Sequence, residues 1–285
     1  MTIREITIPV GAKAPFSVLH TSDNHICLAD ERDNERKRKL AEDRSKVFSK
    51  GSPGSWLERT EEIFAYAKEH QLPIFHTGDL IDFVSEANLD YARNLLKDAD
   101  VFVAAGNHEF SQYVGEAWED EAYKAQSFER VKAAFPGDFW FQTRMINGVK
   151  FIALENGYYY VTKEQLRLFK EATAEDVPTV LLVHNPLYSA DTFRKYKEGR
   201  PVSEPAYLFG CPEDLMWEWE EHRRLQQRPN EVTKEFMSYC ESLPCLKAVL
   251  AGHMHEYIAS VLDSGIPQYV AGAGYKSDVN LYTFV

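Results

Sequence analysis

The chain has 285 residues, enough to bury a large core but of a length that leaves the domain count open. Apolar residues make up 44% of it and aromatic residues 13%, as in folded globular proteins rather than disordered or fibrous ones. Asp and Glu exceed Lys and Arg by 44 to 32, a formal charge of −12, which disfavours nucleic acid as a partner.

The amino-terminal stretch shows no apolar run of signal-peptide length, and nowhere do about 18 apolar residues follow one another. We therefore expect a cytoplasmic protein without a membrane partner. The cysteines are few for this length and lack the C-x-x-C spacing of a zinc knuckle, so we expect reduced and mostly buried thiols. They are Cys27, Cys211, Cys240 and Cys245.

Short apolar runs that end abruptly in polar loops alternate with stretches of helical period. Such runs predict buried strands, and here they are FSVLH, LPIFH, VFVAA, TVLLV and LKAVLA. Helices are predicted over 55–70, 84–98 and 121–134, and another begins at a capping box of Thr162 and Gln165. The alternation predicts an α/β fold with its chemistry at the carboxyl ends of the strands. Residues 260–285 are predicted to form consecutive, antiparallel strands.

Two stretches interrupt this alternation. Residues 28–54 are densely charged with both signs and then rich in Gly, Ser and Pro, which indicates a solvated helix and a loop. A phosphate-binding patch is the alternative for that stretch, built from Arg36, Lys37, Arg38 or Lys39. Residues 189–243 form a polar and aromatic insertion, long enough for a cap or lid over a site. No linker divides the chain, so we predict one domain over residues 1–285.

Every predicted strand end is followed by His, Asp or Asn. These residues are Asp23 and His25, Asp79 and Asp82, Asn107 and His108, His184, and finally His253 and His255. A single such residue is commonly a turn or cap, but so many at one edge indicate a metal site. Imidazole, carboxylate and carboxamide without thiolate suit Mn, Fe or Zn, and the set exceeds the four ligands of one tetrahedral ion. Spacing alone leaves open whether His253 and His255 share one ion, serve two ions or cap a strand.

The motifs SDNH, GDLID, GNHE, the His of VHNP, and GHMH stand in this order from Asp23 to His255. They resemble the D-x-H, G-D-x-x-D, G-N-H-[DE], H and G-H-x-H signature of the calcineurin-like metallophosphoesterases. The resemblance implies a four-layer α-β-β-α sandwich of two mixed sheets. It also implies a hydrolase that cleaves a small or medium phosphoester through a hydroxide bridging two metal ions.

The same resemblance implies a role for each residue. Asp23, His25 and His255 would hold the first metal, and Asn107, His184 and His253 the second. Asp79 would bridge the two ions. His108 would lie beside the phosphoryl group as a catalytic residue, with Asp82 orienting its ring.

The sequence departs from the protein Ser/Thr phosphatases of this family. Ile26 follows the first motif where those enzymes have Gly, and Phe83 stands where they have a phosphate-clamping Arg. The phosphodiesterase-type branch is therefore favoured. The alternatives are a phosphomonoesterase, a nuclease whose strand would lie along residues 32–50, and a catalytically inactive binding scaffold.

Other polar residues invite weaker interpretations. His20 and His76 are expected to be buried and hydrogen-bonded rather than ligands. Tyr158, Tyr159 and Tyr160 could stack on a base or sugar, with alternate residues facing opposite sides of a strand. Glu109, which completes the G-N-H-E motif, is expected to support its loop.

Overall fold

A computed structural model describes residues 1–50, 54–114 and 121–285, so residues 51–53 of the charged insertion lie outside the described residues. The strands are β1 (Thr2–Ile8), β2 (Phe16–Thr21), β3 (Ile74–His76), β4 (Val101–Val103), β5 (Phe141–Ile146), β6 (Val149–Leu154), β7 (Thr179–Leu182), β8 (Leu246–Ala251), β9 (Ile258–Val261), β10 (Pro267–Val270) and β11 (Asp278–Phe284). The helices are α1 (Glu35–Ser49), α2 (Trp56–Glu69), α3 (Glu86–Leu96), α4 (Glu121–Lys132), α5 (Lys163–Ala172), α6 (Ala190–Lys197), α7 (Glu221–Gln227) and α8 (Glu231–Ser242).

The strands form two mixed sheets, ordered β1-β11-β2-β3-β4 and β5-β6-β7-β8-β10-β9. Neighbours β2, β3 and β4 are parallel in the first sheet, as are β6, β7 and β8 in the second. Parallel strands end at the same edge, so each sheet gathers several strand-end loops in one place.

The sheets face each other across a core of large side chains that includes Phe75, Phe102 and Phe151. Helices α1 to α4 pack on the outer face of the first sheet, and α5, α6 and α8 pack on that of the second. This is the expected four-layer α-β-β-α sandwich. No helix of the described ranges is both long and apolar enough to cross a membrane.

The predicted apolar runs form β2, β3, β4, β7 and β8, and the predicted helices form α2 to α5, with the capping box of Thr162 and Gln165 in place. The expectation for residues 260–285 is only partly right. β10 is antiparallel to β9 but parallel to β8, and β11 crosses to the other sheet, where it lies between β1 and β2. Strand periodicity identifies strands without naming their partners, which is why this crossing could not be predicted.

All the cysteines are free and buried, as expected. Burial raises the thiol pKa of Cys27, Cys211 and Cys240 above its usual range. Since the thiolate is the reactive form, these groups are doubly protected, by lack of access and by protonation.

Iodoacetamide at pH 8 is therefore expected to leave the native protein unlabelled and to label all four cysteines in urea. Intact-mass spectrometry of the two samples measures the outcome. Rapid labelling of any cysteine in the native sample would show that its shell of packed side chains opens.

Candidate functional site

Loops at the carboxyl ends of five strands bring all nine predicted site residues into one cluster. Three loops come from the first sheet, after β2, β3 and β4, and two from the second, after β7 and β8. The two sheets meet directly where the backbone N–H of His253 donates to Asp23 Oδ2 at 2.9 Å, across 230 residues of sequence. His108, His253 and His255 are half-buried, and the other members are buried.

The backbone of this cluster adopts an unusual conformation. Positive φ angles of 49–71° occur at five of the seven candidate metal ligands, namely Asp23, His25, Asp79, His253 and His255. Each such residue without glycine's freedom costs about 1–2 kcal/mol, so the surrounding structure must hold it in place. Strain concentrated in this way is typical of a functional site.

The first group of ligand atoms consists of Asp23, His25 and His255. The Nε2 atoms of His25 and His255 face each other at 2.8 Å. Asp23 Oδ1 lies 3.3 Å from His255 Nε2 and 3.8 Å from His25 Nε2.

The second group consists of Asp79, His184 and His253. His184 Nε2 and His253 Nδ1 are 3.1 Å apart. Asp79 Oδ2 lies 3.1 Å from His184 Nε2 and 3.9 Å from His25 Nε2, which places this oxygen between the two groups.

Partners on the far side of the rings determine which nitrogen faces inward. His25 Nδ1 lies 2.8 Å from Asp82 Oδ1, and His184 Nδ1 lies 2.6 Å from the Thr77 carbonyl. The Tyr159 hydroxyl lies 2.7 Å from His253 Nε2. Each of these contacts leaves the opposite ring nitrogen for the cluster.

The donor set fits cations. Two pairs of imidazole nitrogens face each other within hydrogen-bond distance, yet such a pair can share only one proton. Asp23 Oδ1 and Asn107 Oδ1 are buried and have no hydrogen-bond partner among the residues that the structure describes. A buried oxygen of this kind is costly unless it is satisfied, and a cation coordinated by nitrogen and oxygen would satisfy every one of these atoms.

His108 is anchored by Asp82 in two ways. Its Nδ1 lies 2.7 Å from the backbone carbonyl of Asp82 and 3.2 Å from the carboxylate Oδ1. Burial lowers the pKa of His108, but the charges of Asp79 and Asp82 outweigh that effect and raise it to about 10. The structure thus brings Asp82 to the ring as predicted, with a backbone contact that the sequence did not indicate.

Glu109 fastens the loops after β3 and β4 to each other. Its carboxylate accepts backbone N–H groups from Asp79 at 2.8 Å, Leu80 at 2.7 Å and Gly106 at 2.7 Å. Its expected role in supporting the loop is confirmed. His20 and His76 are also buried and hydrogen-bonded as expected, to Thr77 and Asn24.

The tyrosine run does not lie on a strand, contrary to expectation. Tyr158 and Tyr159 form part of a turn after β6, where a φ of 60° at Tyr159 sends its hydroxyl to His253. No sequence signal other than the run itself marked Tyr159. The missed contacts also include Arg44 of α1, which reaches Asp82.

The charged residues proposed as a phosphate patch contact their own neighbours instead. Lys37 donates to the Val84 carbonyl and Arg38 to the Asp33 carbonyl. Arg36 lies over the ring of Tyr113, and Lys39 pairs with Asp43. All four side chains are thus engaged in contacts within the protein, which does not favour an anion site.

The insertion 189–243 contributes Tyr207 to the site, with its ring 5.9 Å from that of His253. The tryptophans of the insertion do not take this position. Trp219 is 3% exposed and packs in the core under the second sheet, whereas Trp217 is 67% exposed.

Comparison with known proteins gives a family match for the sequence and a similar fold for the structure. The sequence profile of the calcineurin-like phosphoesterase family matches residues 16–257. A dimetal phosphatase from Danio rerio is similar in structure at 12% identity, with a TM-score of 0.53 over 92% of this chain and 88% of that one. A 5'-nucleotidase from Candida albicans aligns at 15% identity with a TM-score of 0.42, over 91% of this chain and 46% of that one. No curated protein matches the sequence.

Replacing Tyr159 by Phe removes one oxygen and leaves His253 without its outer partner. Such partners typically contribute 10- to 100-fold to metal affinity, so we expect Mn²⁺ to bind at least tenfold more weakly. Titration calorimetry measures this. The matched control is Tyr160→Phe, because that hydroxyl bonds to Glu121 instead, and equal losses in both variants would contradict a specific role for Tyr159.

Proposed function

The chain belongs to the calcineurin-like phosphoesterase family, and on that premise we propose that it hydrolyses a small or medium phosphoester with two metal ions. A phosphodiester is the favoured substrate, as in the phosphodiesterase-type branch. The observation that carries the proposal is the pair of ligand groups with Asp79 Oδ2 between them.

The first ion would be held by Asp23, His25 and His255, and the second by Asn107, His184 and His253. Asp79 would bridge them. Within the described ranges Asp23 Oδ1 and Asn107 Oδ1 lack a hydrogen-bond partner, and this supports the division because one falls in each set. The two-metal site of the structurally similar phosphatase from Danio rerio is consistent with the count.

When bound, two divalent cations would neutralise the charge of a phosphoester and lower the pKa of a water, which would supply a hydroxide nucleophile. The protein's own contribution centres on His108. Because Nδ1 is held by Asp82, Nε2 is the atom that can donate to the leaving oxygen. Burial lowers the pKa of His108 and the charges of Asp79 and Asp82 raise it, and the Asp82 contact would persist when Asp79 holds the metals. General acid catalysis of this kind is worth about 10²- to 10⁴-fold.

The lack of a phosphate-clamping Arg at position 83 favours a diester over a monoester. A diester carries one negative charge, whereas a phosphomonoester carries about −1.5 to −2 at neutral pH and gains more from an additional cation. Phe83 stands where the protein Ser/Thr phosphatases have that Arg, and its phenyl ring is uncharged and fully buried. Arg44, a cation close to the cluster, directs its donor groups at Asp82.

We further propose that residues 1–285 act as one domain in which the insertion 189–243 forms a wall of the site. Tyr207 supports this role because its half-buried ring lies beside His253. A flat aromatic surface at this position suits an organic leaving group or alcohol portion.

Hydrolysis of bis-p-nitrophenyl phosphate and of p-nitrophenyl phosphate with Mn²⁺ tests the proposal, and the diester is expected to react with the higher kcat/KM. Asn107→Ala should lose both bound metal and activity. His108→Ala should keep its metal and lose about 10²- to 10⁴-fold in kcat, less for p-nitrophenolate than for a poor leaving group.

Exposed His222 provides the matched control, and His222→Ala is expected to behave as wild type. A preference for the monoester would move the assignment to a phosphomonoesterase. If metal-loaded protein hydrolyses neither ester, the proposal is contradicted and a binding scaffold is favoured.

The nuclease alternative makes its own prediction. It requires a basic groove for a strand, but Lys37, Lys39 and Lys46 of α1 are bonded to a carbonyl or paired with acids of the same helix. We expect no binding of a fluorescent single-stranded oligonucleotide at about 50 mM salt by anisotropy. Oligonucleotide binding that weakens steeply with added salt would instead support the nuclease alternative.

A further inference from the structure

Helix α1, in the charged stretch that the sequence marked as solvated, reaches the centre of the site through Arg44. Its Nε lies 2.7 Å from Asp82 Oδ2 and its Nη2 lies 2.9 Å from Asp82 Oδ1. The two parallel contacts form a fork in which the planes of guanidinium and carboxylate are aligned. Asp82 is completely buried, and the Arg44 side chain is 24% exposed.

Asp82 is the residue through which this fork acts on the chemistry. Its Oδ1 accepts from His25 Nδ1 at 2.8 Å, the contact that aims His25 Nε2 at the first ligand group. The same oxygen lies 3.2 Å from His108 Nδ1. A carboxylate that rotates about its own axis would release both rings, and a bidentate partner prevents that rotation.

A second side chain of α1 supports the same ring. Phe48 stacks on His25 with the ring centroids 4.6 Å apart and an interplanar angle of 12°. The Arg44 guanidinium lies 4.7 Å from the centroid of Phe48. One face of His25 is therefore covered by the helix that also holds Asp82.

We propose that Arg44 is a positioning residue of the metal site, which acts through Asp82 to hold His25 for the first metal and His108 for the leaving group. This inference rests on the proposed two-metal hydrolysis. The Nε and Nη2 donors of Arg44 are directed at Asp82, so the residue works by fixing a carboxylate and not by clamping the substrate. Loss of Arg44 should consequently change metal affinity and kcat, with the KM for the phosphoester unchanged.

Arg44→Met tests the proposal in the full chain. We expect Mn²⁺ binding, measured by calorimetry without substrate, to weaken about 10- to 100-fold, and kcat for bis-p-nitrophenyl phosphate to fall in the same range. Lys46→Met is the matched control, since Lys46 lies on the same helix, is 72% exposed and pairs only with Asp43 among the ion pairs described. It should bind Mn²⁺ and turn over as wild type.

Two further variants separate positioning from charge and from folding. Arg44→Lys keeps the charge but not the fork, so it should recover only part of the loss. In Arg44→Ala, added guanidinium ion at millimolar concentration should restore Mn²⁺ affinity and kcat, whereas methylammonium should not. Rescue by a small ion shows that the variant is folded.

Unchanged Mn²⁺ affinity and kcat in Arg44→Met, or full activity in Arg44→Lys, would overturn the proposal. A rise in KM alone would also overturn it, because that result places Arg44 on the substrate. Failure of the proposed function gives a different result, because the wild-type protein would then hydrolyse neither ester. In that case the Mn²⁺ affinities of Arg44→Met and wild type, measured by calorimetry, still show whether Arg44 positions the metal ligands.

Discussion

Three carboxylates, Asp23, Asp79 and Asp82, are buried close together, and the balance of their charge governs the rest of the site. Burying one ionised carboxylate costs several kcal/mol unless hydrogen-bond or charge partners replace the water that it loses. Each carboxylate has its own replacement: Asp82 has Arg44, Asp79 has the His108 backbone N–H, and Asp23 has that of His253. Burial opposes ionisation in all three, but nearby histidines hold the pKa of Asp79 and Asp82 well below the usual range. The buried negative charge of these carboxylates therefore attracts cations to the cluster.

The backbone makes such crowding feasible. Gly78 has a φ of +93°, and a Cβ placed on Gly106 would come within 2.8 Å of His184 Nδ1. At this point the loop after β4 can approach His184 of the second sheet because Gly106 has no side chain. Asp79, which follows Gly78, adopts the left-handed conformation, and Glu109 holds two of the loops through its buried carboxylate. Hydrogen bonds between the loops therefore hold the strained backbone in place.

Much of the fold and of the candidate site could be predicted from sequence because both depend on local patterns. Apolar runs that end in polar loops identified β2, β3, β4, β7 and β8, and the residues following them do converge. The contacts of Arg44, Phe48 and Tyr159 could not be predicted in this way. Each depends on how a helix or turn lies over a distant strand end, and nothing in the charge pattern of α1 distinguishes Arg44 from its solvated neighbours. Strand β1 was not predicted because its sequence, TIREITI, contains no continuous apolar run and most of it is not buried.

The position of β11 between β1 and β2 bears on the timing of synthesis. The strand is parallel to one neighbour and antiparallel to the other, and it comes more than 250 residues after both. Until the ribosome has released residues 278–284, β2 carries an unpaired edge and the first sheet cannot close. Exposed strand edges are templates for pairing with other chains. A nascent chain of this fold therefore exposes that edge until residues 278–284 have been made, whereas its second sheet is complete at Val270 and is free to assemble first.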